Sequence, residues 1–244
     1  MRRFFIDTPL LDEMSIQGPD AHHMSRVLRL QVGNQIIVVS QDGSAGVGEI
    51  KSISTDEVTL TLQETLMEDK EAPINVYLAQ GLPKSDKMDY IVQKAVELGV
   101  KGIYPLEAEH SVVQYDQAKK SKRQERWQKI AAEAAKQCGR GIIPTVEPIA
   151  GLARILEKFD AETLVIMLYE GQAAQGIKQA LTENKRANYL LIVGPEGGFS
   201  TKEVALCQRF GASIVTLGPR ILRTETAALA GVSIVMYECG DLGG

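Results

Sequence analysis

The stretch Tyr189-Leu-Leu-Ile-Val-Gly-Pro-Glu-Gly-Gly-Phe199 decides the fold class. Its first five residues form a short, continuous apolar run, which is typical of a strand buried on both faces of a sheet. The glycine-rich loop that follows leads into a predicted helix at about 201–210. A buried strand joined by such a loop to a helix indicates an α/β fold with a mostly parallel sheet.

The same alternation of strand and helix extends from Ile74 to the end of the chain. The apolar periodicity predicts strands at 74–80, 102–106, 163–169, 189–193 and 213–217. It predicts helices from a cap at Ser85 or Asp86 to Gly99, and at 124–138, 152–159, 201–210 and 225–238. We therefore expect residues 74–244 to form one α/β domain with helices on both faces of the sheet.

Residues 1–70 have a different pattern. Short alternating or β-branched runs at 35–40, 46–53 and 57–62 are separated by turn signals, and a short helix is predicted at 22–30. This pattern predicts a small β-barrel-like domain at 1–70. The acidic and polar residues 63–73 are interpreted as a linker between the two domains.

Composition excludes several classes of protein. Hydrophobic residues make up 44% of the 244 residues and charged residues 24%, values that exclude disordered and fibrous chains. The apolar runs are too short to span a bilayer and no signal peptide is visible, so a cytoplasmic protein without membrane contact is expected. Three widely spaced cysteines, Cys138, Cys207 and Cys239, favour buried free thiols over disulfides or a zinc site. We expect no metal.

Positive charge is concentrated in one segment, although the net charge of the chain is −4. Residues 118–140 hold eight basic and two acidic residues, a local charge of +6. Two interpretations are equally open on composition alone: a solvated helix face, or a patch that binds nucleic-acid phosphates.

Three strand ends carry unusual residues, and ligands of parallel α/β sheets bind at such ends. The three segments are Tyr169-Glu-Gly171, the glycine-rich loop 194–199 and Leu217-Gly-Pro-Arg-Ile-Leu-Arg-Thr-Glu-Thr-Ala227. The glycine-rich loop is neither G-x-G-x-x-G nor a phosphate-cradling loop. Its Glu196 would repel a phosphate, so a nucleotide-like ligand without phosphates is favoured.

The third segment combines helix capping with residues that capping does not explain. Thr224 is expected to cap the last helix and Glu225 to be its first-turn acid. Arg220 and Arg223 oppose the helix dipole, which makes them candidates for binding an anion such as RNA phosphate. The small residues that follow indicate close packing against another helix, in the chain itself or across a dimer: Ala227, Ala228, Ala230, Gly231 and Ser233.

The sequence contains neither a G-x-S-x-G nor an H-E-x-x-H motif, and its three histidines do not form a nucleophile–base pattern. His22 and His23 precede Arg26 and Arg29 by one helical turn. These four residues are interpreted as a cationic surface that faces RNA.

The two motifs Leu191-Ile-Val-Gly-Pro-Glu-Gly-Gly-Phe199 and Leu217-Gly-Pro-Arg-Ile-Leu-Arg-Thr-Glu-Thr-Ala227 together resemble those of the small-subunit ribosomal RNA uridine methyltransferases of the SPOUT superfamily (RsmE type). The resemblance covers nearly the whole chain. It extends to the segments Arg2-Arg-Phe-Phe5, His22-His23, Val27-Leu-Arg29, Gly81-Leu-Pro-Lys84, Glu97-Leu-Gly99, Glu125-Arg-Trp127 and Glu133-Ala-Ala135.

The resemblance implies an architecture and a reaction. It implies a C-terminal domain with a deep trefoil knot at about 163–238, a PUA-like RNA-binding N-terminal domain and a homodimer. The reaction is methylation of ring nitrogen-3 of a uridine in 16S ribosomal RNA with S-adenosylmethionine as the donor. The partner is the 16S RNA or the small ribosomal subunit.

The resemblance also assigns residues. The cofactor-binding residues are Leu168, Tyr169, Glu170, Gly194, Pro195, Glu196, Gly197, Gly198, Leu217, Gly218, Arg220, Ile221, Leu222, Thr224, Thr226 and Ala227. For catalysis we expect Arg223 to orient the RNA or stabilise a uridine anion, with Glu225 as a second candidate for base or orienting group. The candidate RNA-binding residues are Arg2, Arg3, His22, His23, Arg26, Arg29, Lys84, Lys122, Arg123 and Arg126.

Two alternatives remain open. One is a SPOUT methyltransferase that acts on a ribose 2′-hydroxyl or on another RNA. The other is a ribosome-assembly factor that binds RNA without catalysis. A dinucleotide-dependent oxidoreductase is disfavoured, since it requires a pyrophosphate loop that the sequence lacks.

Overall fold

The computed structural model describes residues 1–67, 70–171 and 175–243. The chain divides into two compact units. The first contains residues 1–71 together with 135–143, and the second contains residues 72–134 and 144–244. A short segment from the middle of the sequence therefore belongs to the N-terminal unit.

The first unit is built on a five-stranded sheet. Its elements are β1 (Arg3–Phe5), β2 (Glu13–Gln17), α1 (Pro19–His22), a π-helical turn (His23–Val27), β3 (Gln35–Val39), β4 (Ala45–Ile53) and β5 (Glu57–Leu66). The strand order is β1-β3-β4-β5-β2, with β1 parallel to β3 and the other pairs antiparallel. The inward side chains of these strands pack on α1 and the π-helical turn, where Met24 is fully buried.

Two expectations for this unit are corrected. The helix expected at 22–30 begins at Pro19 and ends at Val27, and Arg29 then adopts a left-handed φ of 52° that ends helical structure. The linker expected at 63–73 is wrong at its start, because β5 continues to Leu66 and pairs there with Ala45 of β4. Residues 68–69 of the expected linker lie outside the described residues.

The segment 135–143 is held in the first unit by ion pairs. Lys136 Nζ lies 3.0 Å from Asp20 Oδ1, and Arg140 Nε donates to Glu71 Oε1 at 3.2 Å. Arg140 is only 4% exposed. Two cations of the basic segment 118–140 are therefore structural.

The second unit contains a seven-stranded sheet. Its elements are β6 (Asn75–Gly81), α2 (Lys87–Glu97), β7 (Gly102–Leu106), α3 (Gln117–Cys138, whose last turn enters the first unit), β8 (Thr145–Val146), α4 (Leu152–Leu156), β9 (Thr163–Leu168), β10 (Gln175–Gly176), α5 (Ile177–Glu183), β11 (Asn188–Val193), α6 (Thr201–Arg209), β12 (Ser213–Thr216) and α7 (Thr224–Cys239). The order is β10-β12-β9-β11-β6-β7-β8, and every pairing between these described strands is parallel. The predicted α/β class with a mostly parallel sheet is confirmed.

Strand β11 lies at the centre of this sheet, between β9 and β6. Leu190, Leu191 and Ile192 are fully buried, as the continuous apolar run predicts. Because β9, β11 and β12 are parallel, the loops that follow them emerge at the same edge of the sheet. This arrangement gathers the three segments that the sequence singled out.

The C-terminal helix corrects one further expectation, that Thr224 is the cap residue. Arg223, not Thr224, occupies the cap position of α7, and Thr224 is its first helical residue. The small residue Gly231 faces the sheet, since a Cβ there would lie 2.7 Å from Leu191 Cδ2. At Gly231 the absence of a side chain therefore lets α7 approach β11. The expected packing of α7 against another helix is also observed, since α7 packs against α2 and α5.

Several element boundaries differ from the predicted ones. α3 begins at Gln117 instead of about 124, α4 ends at Leu156, and α5, β8 and β10 were not predicted. α6 begins with a capping box, in which Ser200 and Glu203 satisfy each other's backbone N–H groups. No helix within the described ranges combines the length and apolar character needed to cross a bilayer.

Candidate active site

A cavity of about 400 Å³ lies at the carboxyl edge of the parallel sheet. All of the predicted cofactor residues line it except Gly197 and Thr226, and so does Arg223. Lining residues that are not among the predicted cofactor-binding or catalytic residues are Lys87, Val193, Phe199, Thr216 and Pro219. The three strand-end loops thus form one site.

The glycine-rich loop after β11 packs against its neighbours with no space for side chains. A Cβ on Gly81, at the end of β6, would lie 2.4 Å from the backbone nitrogen of Pro195. A Cβ on Gly197 would lie 2.6 Å from the carbonyl oxygen of His110, and Gly198 has a φ of +68°. The loop is fixed between β6 and the segment after β7, so glycine is required at these approaches.

Thr224 connects the glycine-rich loop to α7 and β6. Its hydroxyl donates to the carbonyl oxygen of Gly194 at 2.6 Å and accepts from Gln80 Nε2 at 2.8 Å. Gln80 is fully buried, and its amide also donates to the carbonyl oxygen of Gly81 at 2.8 Å. The hydroxyl that was expected to cap a helix instead fixes the relative position of two cavity-lining loops.

Lys87 bridges two carboxylates from different loops. Its Nζ lies 3.2 Å from Glu196 Oε1 and 3.0 Å from Glu225 Oε2. The hydrogen bonds to Glu225 and to Glu196 raise the pKa of Lys87 above its ordinary value. The backbone N–H of Lys84 also donates to Glu196, at 3.2 Å.

Both carboxylates titrate below the ordinary range. For Glu225, burial acts to raise the pKa. Its own backbone N–H and the ammonium of Lys87 act to lower the pKa, and their combined effect is larger than that of burial. For Glu196 the same balance holds, with the backbone N–H of Lys84 as an additional donor. A carboxylate with a lowered pKa is a weak base, so the geometry favours Glu225 as a partner of Lys87 over Glu225 as a proton acceptor.

The rim of the cavity is cationic and partly apolar. Arg220 and Arg223 are exposed, and Ile221 between them is 82% exposed. Two cations beside an exposed apolar side chain form a surface suited to a phosphate and a base face. Within the described part of the chain, no group of three or more metal-ligating side chains is placed to hold a metal ion.

The candidate RNA-binding residues of the first unit differ in exposure. Arg2, His22, His23, Arg26 and Arg29 are exposed, together with the apolar Val27 at 61%. Arg3 is only 9% exposed, which does not fit the expected direct contact with RNA.

The basic residues of α3 are largely engaged with acidic side chains of the second unit. Arg126 Nε donates to Asp89 Oδ2 at 2.9 Å, and Trp127 Nε1 donates to Asp89 Oδ1 at 3.1 Å. Arg123 lies 3.7 Å from Asp86, and Lys120 pairs with Glu107 at 2.6 Å. Lys122, Lys129 and the separate Lys84 are exposed. Most of the cations in the basic segment 118–140 are therefore paired with acidic side chains of the protein itself. Neither a solvated helix face nor a phosphate-binding patch, the two interpretations given for this segment, includes such pairing.

Lys87 and Gln80 are the functional candidates that the sequence reasoning missed. A signal existed for Lys87, since a cation in the first turn of a helix opposes the helix dipole and needs a separate explanation. For Gln80 the signal was a polar residue near the end of an otherwise apolar strand. Neither signal identifies a partner, because the partners lie more than 100 residues away in sequence.

Comparisons with known proteins identify the family of the chain. An RNA methyltransferase domain family matches residues 70–236, and an RNA methyltransferase PUA domain family matches residues 16–63. The ribosomal RNA small subunit methyltransferase E of Bacillus subtilis is 38% identical over 98% of this chain and 97% of its own length. That of Synechocystis is 35% identical over 88% of this chain and 71% of its own length.

Solved structures show the same relationship. A ribosomal RNA small subunit methyltransferase E from Neisseria gonorrhoeae, bound to S-adenosyl methionine, is 31% identical, with a TM-score of 0.88 and 99% of both chains covered. A putative methyltransferase from Legionella pneumophila in complex with the same cofactor is 30% identical, with a TM-score of 0.87 over 98% of both chains. The chain described here belongs to the ribosomal RNA small subunit methyltransferase E family.

Proposed function

We propose that this protein transfers the methyl group of S-adenosylmethionine to ring nitrogen-3 of a uridine in 16S ribosomal RNA. The observation that carries the proposal is the single cavity lined by both signature motifs, 191–199 and 217–227. Two structural relatives that match this chain over nearly its whole length have solved structures with the cofactor bound. The target nitrogen follows from the family resemblance of the motifs.

The cavity fits a cofactor that has no phosphate. Its glycine-rich loop carries Glu196, whose carboxylate already binds the ammonium of Lys87 and the backbone N–H of Lys84. Leu168, Val193 and Phe199 offer apolar surface to an adenine ring, and loop backbone groups offer hydrogen bonds to a nucleoside. When bound, S-adenosylmethionine supplies a methyl group activated by a sulfonium.

Arg223 is proposed to act on the uridine. Transfer forms the bond between N3 and the methyl carbon, breaks the bond between that carbon and the sulfonium sulfur, and releases the N3 proton to solvent. Negative charge develops on the uracil carbonyl oxygens as the proton leaves, and a guanidinium beside them stabilises that charge. Arg223 lies at the rim of the cavity, where a base could enter. The role of Glu225 is to hold Lys87 in place, because the ion pair with Lys87 lowers the pKa of Glu225 and makes this carboxylate a weak base.

The RNA is proposed to reach the site as a splayed-out nucleotide. Ring nitrogen-3 is on the Watson–Crick edge, so the uridine must be unpaired before transfer. Arg220 at the rim and the exposed His22, His23, Arg26 and Arg29 of the first unit are proposed to hold the RNA backbone.

Further features belong to this proposal through the family resemblance. They are a homodimer, a cytoplasmic location, and a trefoil knot in the region 163–238, of which residues 172–174 lie outside the described residues. The proposed domain division is 1–70 for RNA binding and 74–244 for methyl transfer, with 135–143 packed in the first unit.

Transfer of labelled methyl groups tests the proposal. Purified protein is incubated with labelled S-adenosylmethionine and small ribosomal subunits that lack base methylation, and the digested RNA is analysed by mass spectrometry. We expect 3-methyluridine. A 2′-O-methylated nucleoside or another methylated base would contradict the proposed specificity, and absence of cofactor binding would contradict the proposed reaction.

A further inference from the structure

We infer that Lys87 is a positioning residue, whose ammonium joins the glycine-rich loop to the start of α7 and thereby sets the shape of the cofactor cavity. The inference rests on the proposed function, because it assigns a role toward S-adenosylmethionine. It concerns a residue that neither signature motif contains.

The contacts of Lys87 connect three separate elements. The residue is in the first turn of α2, Glu196 is in the loop after β11, and Glu225 is in the first turn of α7. The ammonium lies within hydrogen-bonding distance of both carboxylates and lines the cavity. The side chains of Glu196 and Glu225 are 25% and 18% exposed, so water only partly screens their charges.

The position of Lys87 on its helix has a cost that the ion pairs offset. A cation at a helix N-terminus is repelled by the helix dipole. Asp86 and Asp89, which flank Lys87, are paired with Arg123 and Arg126 of α3. Trp127 Nε1 also donates to Asp89. Arg123 and Arg126 of α3 thus stabilise the first turn of α2, which contains Lys87.

Removal of Lys87 would leave the carboxylates of Glu196 and Glu225, which lie 3.2 and 3.0 Å from its ammonium, without the cation that they share. Like charges at close range repel and raise each other's pKa. Glu225 keeps the favourable charge of Arg223, and Glu196 keeps the hydrogen bond from the backbone N–H of Lys84. The expected result is a displaced loop at 194–198 and a displaced turn at 223–227, which together line the cavity.

Calorimetric titration with S-adenosylmethionine tests this role. We expect Lys87→Met to weaken cofactor binding by about 10-fold or more, and Lys87→Arg to remain close to wild type. Lys94→Met is the matched control: Lys94 is on the same helix and forms a similar ion pair with Glu97 at 2.8 Å, but it does not line the cavity. Its cofactor affinity should equal that of wild type.

A double-mutant cycle separates positioning from direct cofactor contact. Because Glu196 lines the cavity itself, each effect is measured against its own background: if Lys87 acts through Glu196, Lys87→Met should weaken affinity at least about 3-fold less in a Glu196→Gln background than in wild type. If Lys87→Met has the same effect with and without Glu196→Gln, then Lys87 acts without Glu196 and the inference is overturned. Wild-type affinity in Lys87→Met also overturns it.

Hydrogen exchange without cofactor gives a readout that does not depend on the proposed function. Residues 194–198 and 223–227 should exchange faster in Lys87→Met than in Lys94→Met. If Lys87→Met does not fold, Glu225→Gln replaces it, since this variant weakens one of the two ion pairs of Lys87. Exchange at 194–198 should then be faster than in wild type, and unchanged exchange would overturn the inference. Wild-type protein that binds no S-adenosylmethionine would refute the proposed function, whereas unchanged exchange in the variants would refute the role of Lys87.

Discussion

The hydroxyl of Thr224 illustrates how single atoms organise the site. It joins the carbonyl oxygen of Gly194 to the amide of Gln80, and thereby connects the loop after β11, helix α7 and strand β6. Gln80 is fully buried, so loss of this hydroxyl leaves a polar group in the interior without that partner. An unpaired buried donor costs about 1–3 kcal/mol, which makes this hydrogen bond worth more than an exposed one.

We therefore expect Thr224→Val, which keeps the shape and removes the hydroxyl, to weaken S-adenosylmethionine binding by about 10-fold. Thr224→Ser retains a hydroxyl and should restore most of the affinity. Isothermal titration calorimetry of the three proteins checks this expectation. Equal affinity of Thr224→Val and wild type would show that the hydrogen bond does not position the cavity loops.

Arg223 carries the prediction about the chemical step. Removal of one group that stabilises a developing anion reduces kcat by about 100-fold or more, so Arg223→Ala should have this effect while the Kd for S-adenosylmethionine changes little. Arg209→Ala, an exposed arginine on α6, is the control and should retain full activity. Single-turnover methylation of small subunits measures the rate, and normal turnover by Arg223→Ala would remove the residue from the mechanism.

At the scale of elements, the end of β6 determines where the loop after β11 can lie. Gly81 and Pro195 approach so closely that no side chain fits between the two backbones. Pro195 has no N–H, so its nitrogen can face Gly81 without losing a donor. The contact holds the glycine-rich loop over the edge of the sheet, where the cavity is.

Gly81→Ala should accordingly displace this loop. A methyl group that meets backbone atoms cannot be accommodated by a side-chain rotation, and overpacking of this kind costs about 1–3 kcal/mol. For a chain of this size we expect Tm to fall by about 2–12 °C, with a clear loss of cofactor affinity. Gly151→Ala is the control, since nothing lies within 4 Å of a Cβ there. Thermal unfolding of both variants decides, and equal Tm values would contradict the proposed contact.

The elements of the second unit were predictable where the apolar pattern was strong. The run at 189–193 predicted the central strand, and the strand ends predicted the loops that line the cavity. The first turns of α3 escaped prediction because residues 117–123 contain almost no apolar residue, so helical periodicity has no signal there. Strand β8 has two residues and α5 has seven, lengths at which periodicity carries little information.

Pairing between distant residues could not be predicted from the sequence. The cations Arg123 and Arg126 are balanced by Asp86 and Asp89, which approach them only when α2 packs beside α3. The local sequence predicts Thr224 as a cap because it indicates only the start of a helix. It cannot indicate that the Thr224 hydroxyl accepts a hydrogen bond from the buried Gln80, which is 144 residues away in sequence. The resemblance to a family identified the cofactor loops, whereas the residues that hold those loops became visible only in three dimensions.

At the scale of the whole molecule, the distribution of charge matters more than the net charge of −4. Ion pairs engage much of the basic segment of α3, whereas the cations of the first unit around Arg26 are exposed. If these exposed cations contact RNA phosphates, each contact releases counterions, and binding becomes weaker as salt increases.

Arg26→Ala should weaken RNA binding and reduce the slope of log K against log salt by about 0.7–0.9, as expected for one lost phosphate contact. Lys178→Ala, which removes an exposed cation of the second unit on α5, serves as the control. Fluorescence anisotropy of a labelled 16S RNA fragment between low and physiological salt measures the slope. An unchanged slope for Arg26→Ala would exclude this residue from the phosphate contacts.

The central claim is that the loops after β9, β11 and β12 form the S-adenosylmethionine site. A crystal structure of this protein grown with S-adenosylmethionine tests it most directly. We expect cofactor density inside the cavity, in contact with residues of 168–170, 194–198 and 217–227, with Lys87 still between Glu196 and Glu225. Cofactor density at another place on the molecule, or an occupied cavity in which Lys87 has left both carboxylates, would contradict it.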